Sequence, residues 1–376
     1  MGRHATLAGM AIRVVHIGTG NVGRLALAEL ITNPAFELVG LCVSSADKVG
    51  RDAGELAGLG VTTGVVAIDD LEALLAIEPE CAVYCAMGDN RMPQAFDDVR
   101  RILAAGVNVV GSAPVVLQFP WNVMPNKFIE SLEEAGRQGN SSIYINGVDP
   151  GFVTDLIPLA FATTCARIEQ VRCMEIADYA TYDGAIVMFD VMGFGKPLDE
   201  VPLLFTPGVL GIAWGCAIRQ LAAGLGIEID SITESYEREP APEAFDIAAG
   251  HIRQGGVAAV RFQIIGISGG HPAIVVEHVT RLREDLRPDW AQPAQPGGSY
   301  RVEITGEPSY RVDICPTSSQ GDHNHAAIAG AAARIVNAIP AVIAAPPGIR
   351  TTLNLPLVSE IRVFSAPVAP QVDQGR

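Results

Sequence analysis

The chain opens with a strand pattern that turns directly into a helix pattern. Ile12-Arg13-Val14-Val15-His16-Ile17 is an apolar, β-branched run that feeds into Gly18-Thr19-Gly20-Asn21-Val22-Gly23. From Asn21 to about Ile31, apolar Val22, Leu25, Ala26 and Leu30 recur at helical spacing. This predicts a strand over about 11–17 and a helix over about 21–32, stopped by Asn33-Pro34. Further strands are expected at about 36–43, 65–68, 81–86, 107–110 and 142–146. Helical stretches between them open at Asp69-Asp70 and cover about 93–105 and 126–138. Strands alternating with helices at this pitch predict an α/β fold: a Rossmann-type, doubly wound parallel sheet over residues 1–150.

After Gly147-Val148-Asp149-Pro150-Gly151-Phe152 the rhythm changes. A helix is expected over about 152–164, a strand over 169–177, a helix-like stretch over 183–192 and a helix over 208–225. Long strands follow at about 231–239, 257–267, 273–282, 299–305 and 310–315, with a turn at Ser268-Gly269-Gly270. Such a run of strands with few helices predicts an α+β domain with an antiparallel sheet over 151–320. A long alanine-rich helix from Asp322 to Ile339 is expected to return to the first domain within a 321–376 segment. Residues 1–10 read as a loose leader and 366–376 as a frayed tail.

The glycine turn carries the first chemistry. In the order strand, G-x-G-x-x-G, helix, the three glycines suit a tight turn, close approach of a pyrophosphate, and close helix packing. Thr19, Asn21 and Val22 complete that turn, and the helix start offers N–H groups to phosphate. An NAD site usually has Asp or Glu at the end of the second strand; here stand Ser44 and Ser45, then Lys48 and Arg51. Hydroxyls and cations suit a 2′-phosphate, so NADP is preferred, with NAD the alternative if Asp47 folds onto the ribose. Ala86, Met87 and Ser112 follow later strands and should line the cofactor.

Composition narrows the class. At 376 residues and 49% hydrophobic, the chain can fill two cores. A net charge of -16 argues against nucleic-acid and anionic-membrane partners. Seven scattered cysteines without C-x-x-C suit reduced thiols in the cytoplasm, and no signal peptide is read at the N-terminus. The apolar stretch 326–349 contains Arg334, Pro340 and Pro346, and reads as an interior helix and its exit.

Four segments give the chain a family likeness: Gly18–Gly23 with its strand, Asp47–Leu56, Gly147–Phe152, and Gly321-Asp322 with the alanine-rich helix ending in Asn337-Ala338-Ile339-Pro340. Met192-Gly193-Phe194-Gly195 fits as well. In these the chain resembles the dihydrodipicolinate-reductase-like oxidoreductases, in the branch of 2,4-diaminopentanoate dehydrogenase and the native amine dehydrogenases. The resemblance implies an NAD(P)-binding domain, a substrate-binding domain that forms a homodimer, and hydride transfer at a C=N or C=O carbon. Two departures stand out. The amine dehydrogenases resemble one another in a carboxylate just after the fifth strand; here that place reads Ala113-Pro114-Val115-Val116-Leu117. The family's Asn in the G-V-N-P-G-F segment is Asp149 here, which could compensate or serve another reaction.

Hydride transfer needs a proton donor at the domain seam. Asp149 is the first candidate; its alternative is a helix N-cap with Pro150 at the first helical position. Tyr179 and Tyr182 come next. His323 and His325, two apart, do not share a helix face, and no metal site is expected; His323 could touch substrate. His271 and His278 read as structural or interfacial. Val115, Val116, Phe119, Trp121, Phe152, Met188 and Met192 suggest an apolar substrate wall, with Thr154 pointing in. The resulting expectation is an NAD(P)H-dependent oxidoreductase acting on a carbonyl or imine carbon of a small, largely apolar molecule. The alternatives are amine dehydrogenase proper and a non-catalytic NADP-sensing protein.

Overall fold

The computed structural model describes residues 11–88, 91–319 and 322–357. The expected leader 1–10, Gly321 and the tail 366–376 lie outside them. In the first domain the strands are β1 (Ile12–Ile17), β2 (Phe36–Cys42), β3 (Ala67–Ile68), β4 (Cys81–Tyr84), β5 (Asn108–Gly111) and β6 (Ser142–Ile145). Between them run α1 (Asn21–Thr32), α2 (Ala53–Leu56), α3 (Leu71–Leu75), α4 (Met92–Ala104) and α5 (Asn126–Gly139). All pairings in this sheet are parallel.

The strand order β3-β2-β1-β4-β5-β6 reverses between β1 and β4, which opens a crevice beyond their carboxyl ends. The core strands are buried on both faces, as their continuous apolar runs require: Val14, Val15, Ala82, Val83, Val109 and Val110 are wholly covered.

The second domain contains α6 (Leu156–Ala162), β7 (Arg167–Asp178), a single wide-turn helical segment at Ile186–Val191, α7 (Val209–Leu225) and β8 (Ser231–Pro240). After a small hairpin of β9 (Phe245–Ile247) and β10 (Gly250–Ile252) come β11 (Val257–Ser268), β12 (His271–Arg281), β13 (Gly298–Glu307) and β14 (Tyr310–Ile314). The six-stranded sheet runs β14-β13-β7-β12-β11-β8. It is antiparallel except for β7 beside β12, because β7 arrives from the first domain and inserts between strands that come later in the chain.

The chain then returns through α8 (His323–Val336) and α9 (Ile339–Ile343) to β15 (Gly348–Arg350), which extends the first sheet beside β6. The span His323–Ile343 is long and apolar enough to cross a membrane by composition, with mean hydropathy 1.7. Its apolar side instead packs inside the protein: Ala332, Ile335, Val336, Ile339 and Val342 lie with Ala26 and Leu30 of α1 in one core.

One boundary differs with consequence. The expected helix at 152–164 starts only at Leu156, and its N-cap is Asp155, whose carboxylate accepts from the Leu156 N–H. Residues 147–154 form a tight loop in which the N–H groups of Phe152, Val153 and Thr154 donate to the carbonyls of Gly147, Val148 and Gly151. Asp149 is therefore released from capping. Asp155 takes over and also joins the domains: its Oδ2 accepts from Asn146 at 2.8 Å, Gln220 at 3.1 Å and Thr352 at 2.6 Å.

Candidate active site

The glycine turn is built around close packing on two sides and open space on the third. Gly18 sits at φ +91°, and a Cβ there would meet the Ala86 nitrogen at 2.5 Å. A Cβ on Gly23 would lie 2.2 Å from the Gly18 carbonyl oxygen. Gly20 has nothing within 4 Å of that position, so the space beside the start of α1 is free for a phosphate group. Beneath the turn His16 is wholly buried, and burial lowers its pKa to about 4. The neutral ring donates from Nε2 to the Gly18 carbonyl at 2.7 Å and pins the turn from below.

At the end of β2, Ser44 and Ser45 are exposed. Lys48 reaches back to the turn, with Nζ 3.0 Å from Thr19 Oγ1 and 3.2 Å from the Thr19 carbonyl. Arg51 is engaged by Glu55 at 2.9 Å. These residues fit a dinucleotide: a cradle for the pyrophosphate, with a cation and hydroxyls where the adenosine ribose would lie.

Beyond the strand ends lies a cleft of about 230 Å³ between the domains. Val22, Ser112 and Val115 line it from the nucleotide domain, and Asp149 from the loop after β6. Tyr179, Tyr182 and His323 line it from the other side. Sheet register supplies what periodicity could not. Phe262 pairs with His278, His278 with Glu175, and Glu175 with Tyr300, so these four side chains share one face of the second sheet.

At the centre Asp149, Glu175 and His278 bring a carboxylate oxygen or ring nitrogen each within 4.8 Å of one another. The Asp149 side chain is 1% exposed: Oδ1 accepts from Trp214 Nε1 at 3.0 Å, and Oδ2 faces His278 Nε2 at 3.2 Å. The His278 ring stacks on Phe262 at 4.6 Å and meets Trp214 edge-on at 4.7 Å. Glu175 accepts from the Tyr179 hydroxyl, and Tyr179 stacks on Tyr182 at 5.6 Å.

Burial raises the Glu175 pKa, against the pull of His278, and the Asp149 charge adds to the rise. Burial works to discharge His278, but Asp149 and then Glu175 outweigh it, and its pKa is raised. Burial also raises Tyr179, Tyr182 and Tyr300, so all three phenols keep their protons at neutral pH. The site thus sets a ring pushed toward its charged form against Asp149, beside a carboxyl pushed toward its protonated form. That is the equipment of proton transfer at a heteroatom.

A model of the 2,4-diaminopentanoate dehydrogenase C-terminal domain matches residues 152–366. The amine dehydrogenase of Streptomyces virginiae is 38% identical over 348 residues, covering 92% of this chain and 96% of that protein. The chain belongs to the 2,4-diaminopentanoate dehydrogenase family. The 2,4-diaminopentanoate dehydrogenase of Acetoanaerobium sticklandii is 23% identical and covers 92% of this chain and 94% of its own. The solved amine dehydrogenase from Mycobacterium smegmatis shares the fold, with TM-score 0.75 at 22% identity over 93% of this chain and 97% of that one. As a member of this family the protein is an NAD(P)-dependent dehydrogenase, and the resemblance read in its motifs is borne out.

Several other positions expected at the substrate lie elsewhere. Val116 is wholly buried in the first-domain core, and Met188 and Met192 in that of the second. Trp121 meets Phe119 edge-on at 4.9 Å and lines a separate groove with Arg219 and Ile229. Phe152 belongs to the tight loop before α6, and Thr154 is buried with its hydroxyl accepting from the Gly151 N–H at 2.8 Å. Apolar side chains suit a core and a cleft wall equally, so the pattern could not separate them. Met87 is 52% exposed beyond β4. His278, expected to be structural, stands in the site, and Glu175, Trp214 and Tyr300 were not anticipated. Glu175 did leave a signal, a lone acid inside the apolar run Cys173-Met174-Glu175-Ile176-Ala177.

Proposed function

We propose that the protein interconverts a small carbonyl compound lacking a carboxylate and the corresponding amine, with NADPH as the preferred reductant. The observation that carries this is the charge of the cleft. Among the described residues that line it there are Asp149 and Glu175 but no Lys or Arg. A keto acid would bring an anion to a cleft whose nearest basic group, His278, is already engaged by Asp149. An amine brings the complementary charge.

Bound coenzyme supplies the hydride, or takes it up in the reverse direction. The chain's own part is to align the carbonyl or imine beyond the strand ends, to exclude bulk water with Tyr179 and Tyr300, and to hold protons on Glu175 and His278. The preference for NADP is supported by Lys48 beside Thr19 and by the hydroxyls of Ser44 and Ser45 where an NAD site places an acid.

The test is coenzyme oxidation by the purified protein with ketones and aldehydes, with and without ammonium chloride. Ammonia-dependent oxidation of NADPH is expected. Equal turnover without ammonia would make the protein a carbonyl reductase, and keto acids outcompeting simple ketones would refute the charge argument. Lys48→Ala should raise KM for NADPH roughly tenfold and leave KM for NADH nearly unchanged, the cost of one charge-assisted contact.

A further inference from the structure

We infer that Asp149 and Glu175 form the site for the nitrogen of ammonia and of the product amine, and that Glu175 releases the carbonyl oxygen as water. The assignment rests on the amine reading above and deepens it. The chain has no acid after β5, where Ala113-Pro114-Val115-Val116 stands, so the nitrogen must find its acceptors elsewhere. Across the cleft the structure offers two carboxyl groups, one on the loop after β6 and one on β7.

Their spacing suits a nitrogen. Two acceptors within 4.8 Å of one another can be bridged by one nitrogen at ~2.9 Å from each. A zinc ion would have to displace the pairing of His278 with Asp149, which face each other at 3.2 Å. Asp149 Oδ2 is buried, and its pairing with His278 Nε2 at 3.2 Å lacks hydrogen-bond geometry.

A second observation points to a ligand in the same cleft. His323 is 4% exposed, and both its ring nitrogens lack a hydrogen-bond partner. Burial lowers its pKa, so the ring is neutral and offers one acceptor. Buried polar atoms of this kind are normally satisfied, and a bound amine or hydroxyl would satisfy them. The titratable groups facing the site are Asp149 and Glu175, with Tyr179 and Tyr182 after β7, His278 on β12, Tyr300 on β13 and His323 on α8.

The chemistry balances. Ammonium gives one proton to the Asp149 carboxylate, and its lone pair forms the C–N bond to the carbonyl carbon. Glu175 donates its proton to the carbonyl oxygen, a second proton comes from the nitrogen, and the C–O bond breaks to release water. The resulting C=N carbon takes a hydride from bound coenzyme, which is thereby oxidised, and Asp149 returns its proton to the amine. A solvent proton restores Glu175. In sum, carbonyl, ammonium, NAD(P)H and one proton give alkylammonium, NAD(P)⁺ and water.

The experiment titrates ammonium chloride against the best carbonyl of the panel for wild type, Asp149→Asn and Glu175→Gln, each checked for NADPH affinity and melting temperature. Both variants should raise KM for ammonium roughly 10- to 100-fold, the loss of a charge-assisted hydrogen bond, while NADPH affinity stays within about twofold. Glu175→Gln should also lower kcat. Unchanged KM for ammonium in folded variants overturns the assignment and leaves the amine reading standing. Wild-type turnover that does not need ammonia overturns both. Activity abolished by EDTA and restored by zinc would make the cluster a metal site and also overturn it. If a variant folds poorly, the wild type with NADP is melted in ammonium chloride against equal sodium chloride; stabilisation specific to ammonium supports the site, and its absence counts against it.

Discussion

The coenzyme cradle can be tested by separating binding from folding at two of its glycines. In Gly23→Ala the new methyl would lie 2.2 Å from the Gly18 carbonyl oxygen, where ordinary contact needs about 1 Å more. That oxygen is held by His16 at 2.7 Å, so the turn cannot yield without disturbing a buried hydrogen bond. Overpacking of this kind costs about 1–3 kcal/mol. At about 2–4 °C per kcal/mol, the first domain should melt roughly 2–12 °C lower.

Gly20→Ala should behave in the opposite way. Gly20 has φ −74°, which alanine adopts freely, and no atom lies within 4 Å of the added carbon. Alanine is a poorer N-cap than glycine but restricts the unfolded chain, and these small terms nearly cancel, leaving stability within about 1 kcal/mol of wild type. The methyl does occupy the space a pyrophosphate needs. Loss of one phosphate–backbone hydrogen bond, about 1.5–3 kcal/mol, should weaken NADPH binding by roughly 10- to 150-fold. Thermal melts with and without NADPH, together with a fluorescence titration, read both effects. Wild-type NADPH affinity in Gly20→Ala, or a wild-type melt for Gly23→Ala, would refute the reasoning.

Two further outcomes follow from buried charge. Asp155→Ala leaves the Asn146 and Gln220 amides and the Thr352 hydroxyl without their acceptor and removes the cap of α6, so urea unfolding should show a loss of about 3 kcal/mol or more; a loss under about 1 kcal/mol would show that the network does not join the domains. Glu175 has a pKa raised above its unfolded value, so its stabilising protonated form is fully present below pH ~4.5 and is lost as pH rises through the folded pKa. Glu175→Gln should therefore melt like wild type near pH 4 and no lower than wild type at pH 8, with a flatter dependence between; a variant that loses stability only at high pH contradicts the sign.

Local pattern sufficed for the first domain through β6, though not for β15, which joins that sheet from the far end of the chain. The β-branched run into Gly18-Thr19-Gly20-Asn21-Val22-Gly23, and the alternation of strands and helices behind it, report periods of two and 3.6 residues that neighbouring positions enforce on one another. The coenzyme class follows from that turn, because its chemistry is carried by the backbone of six consecutive residues. The candidate cleft has no such local carrier. Asp149 could not be freed from its capping role until Asp155 was seen to cap α6. Glu175, His278 and Tyr300 meet only because β7 inserts between β12 and β13, a long-range pairing whose register no short window records. An acid buried there and an acid on a solvated strand look alike in sequence. What distinguishes them is desolvation and the charge across the cleft, and both arise only once distant segments are packed together.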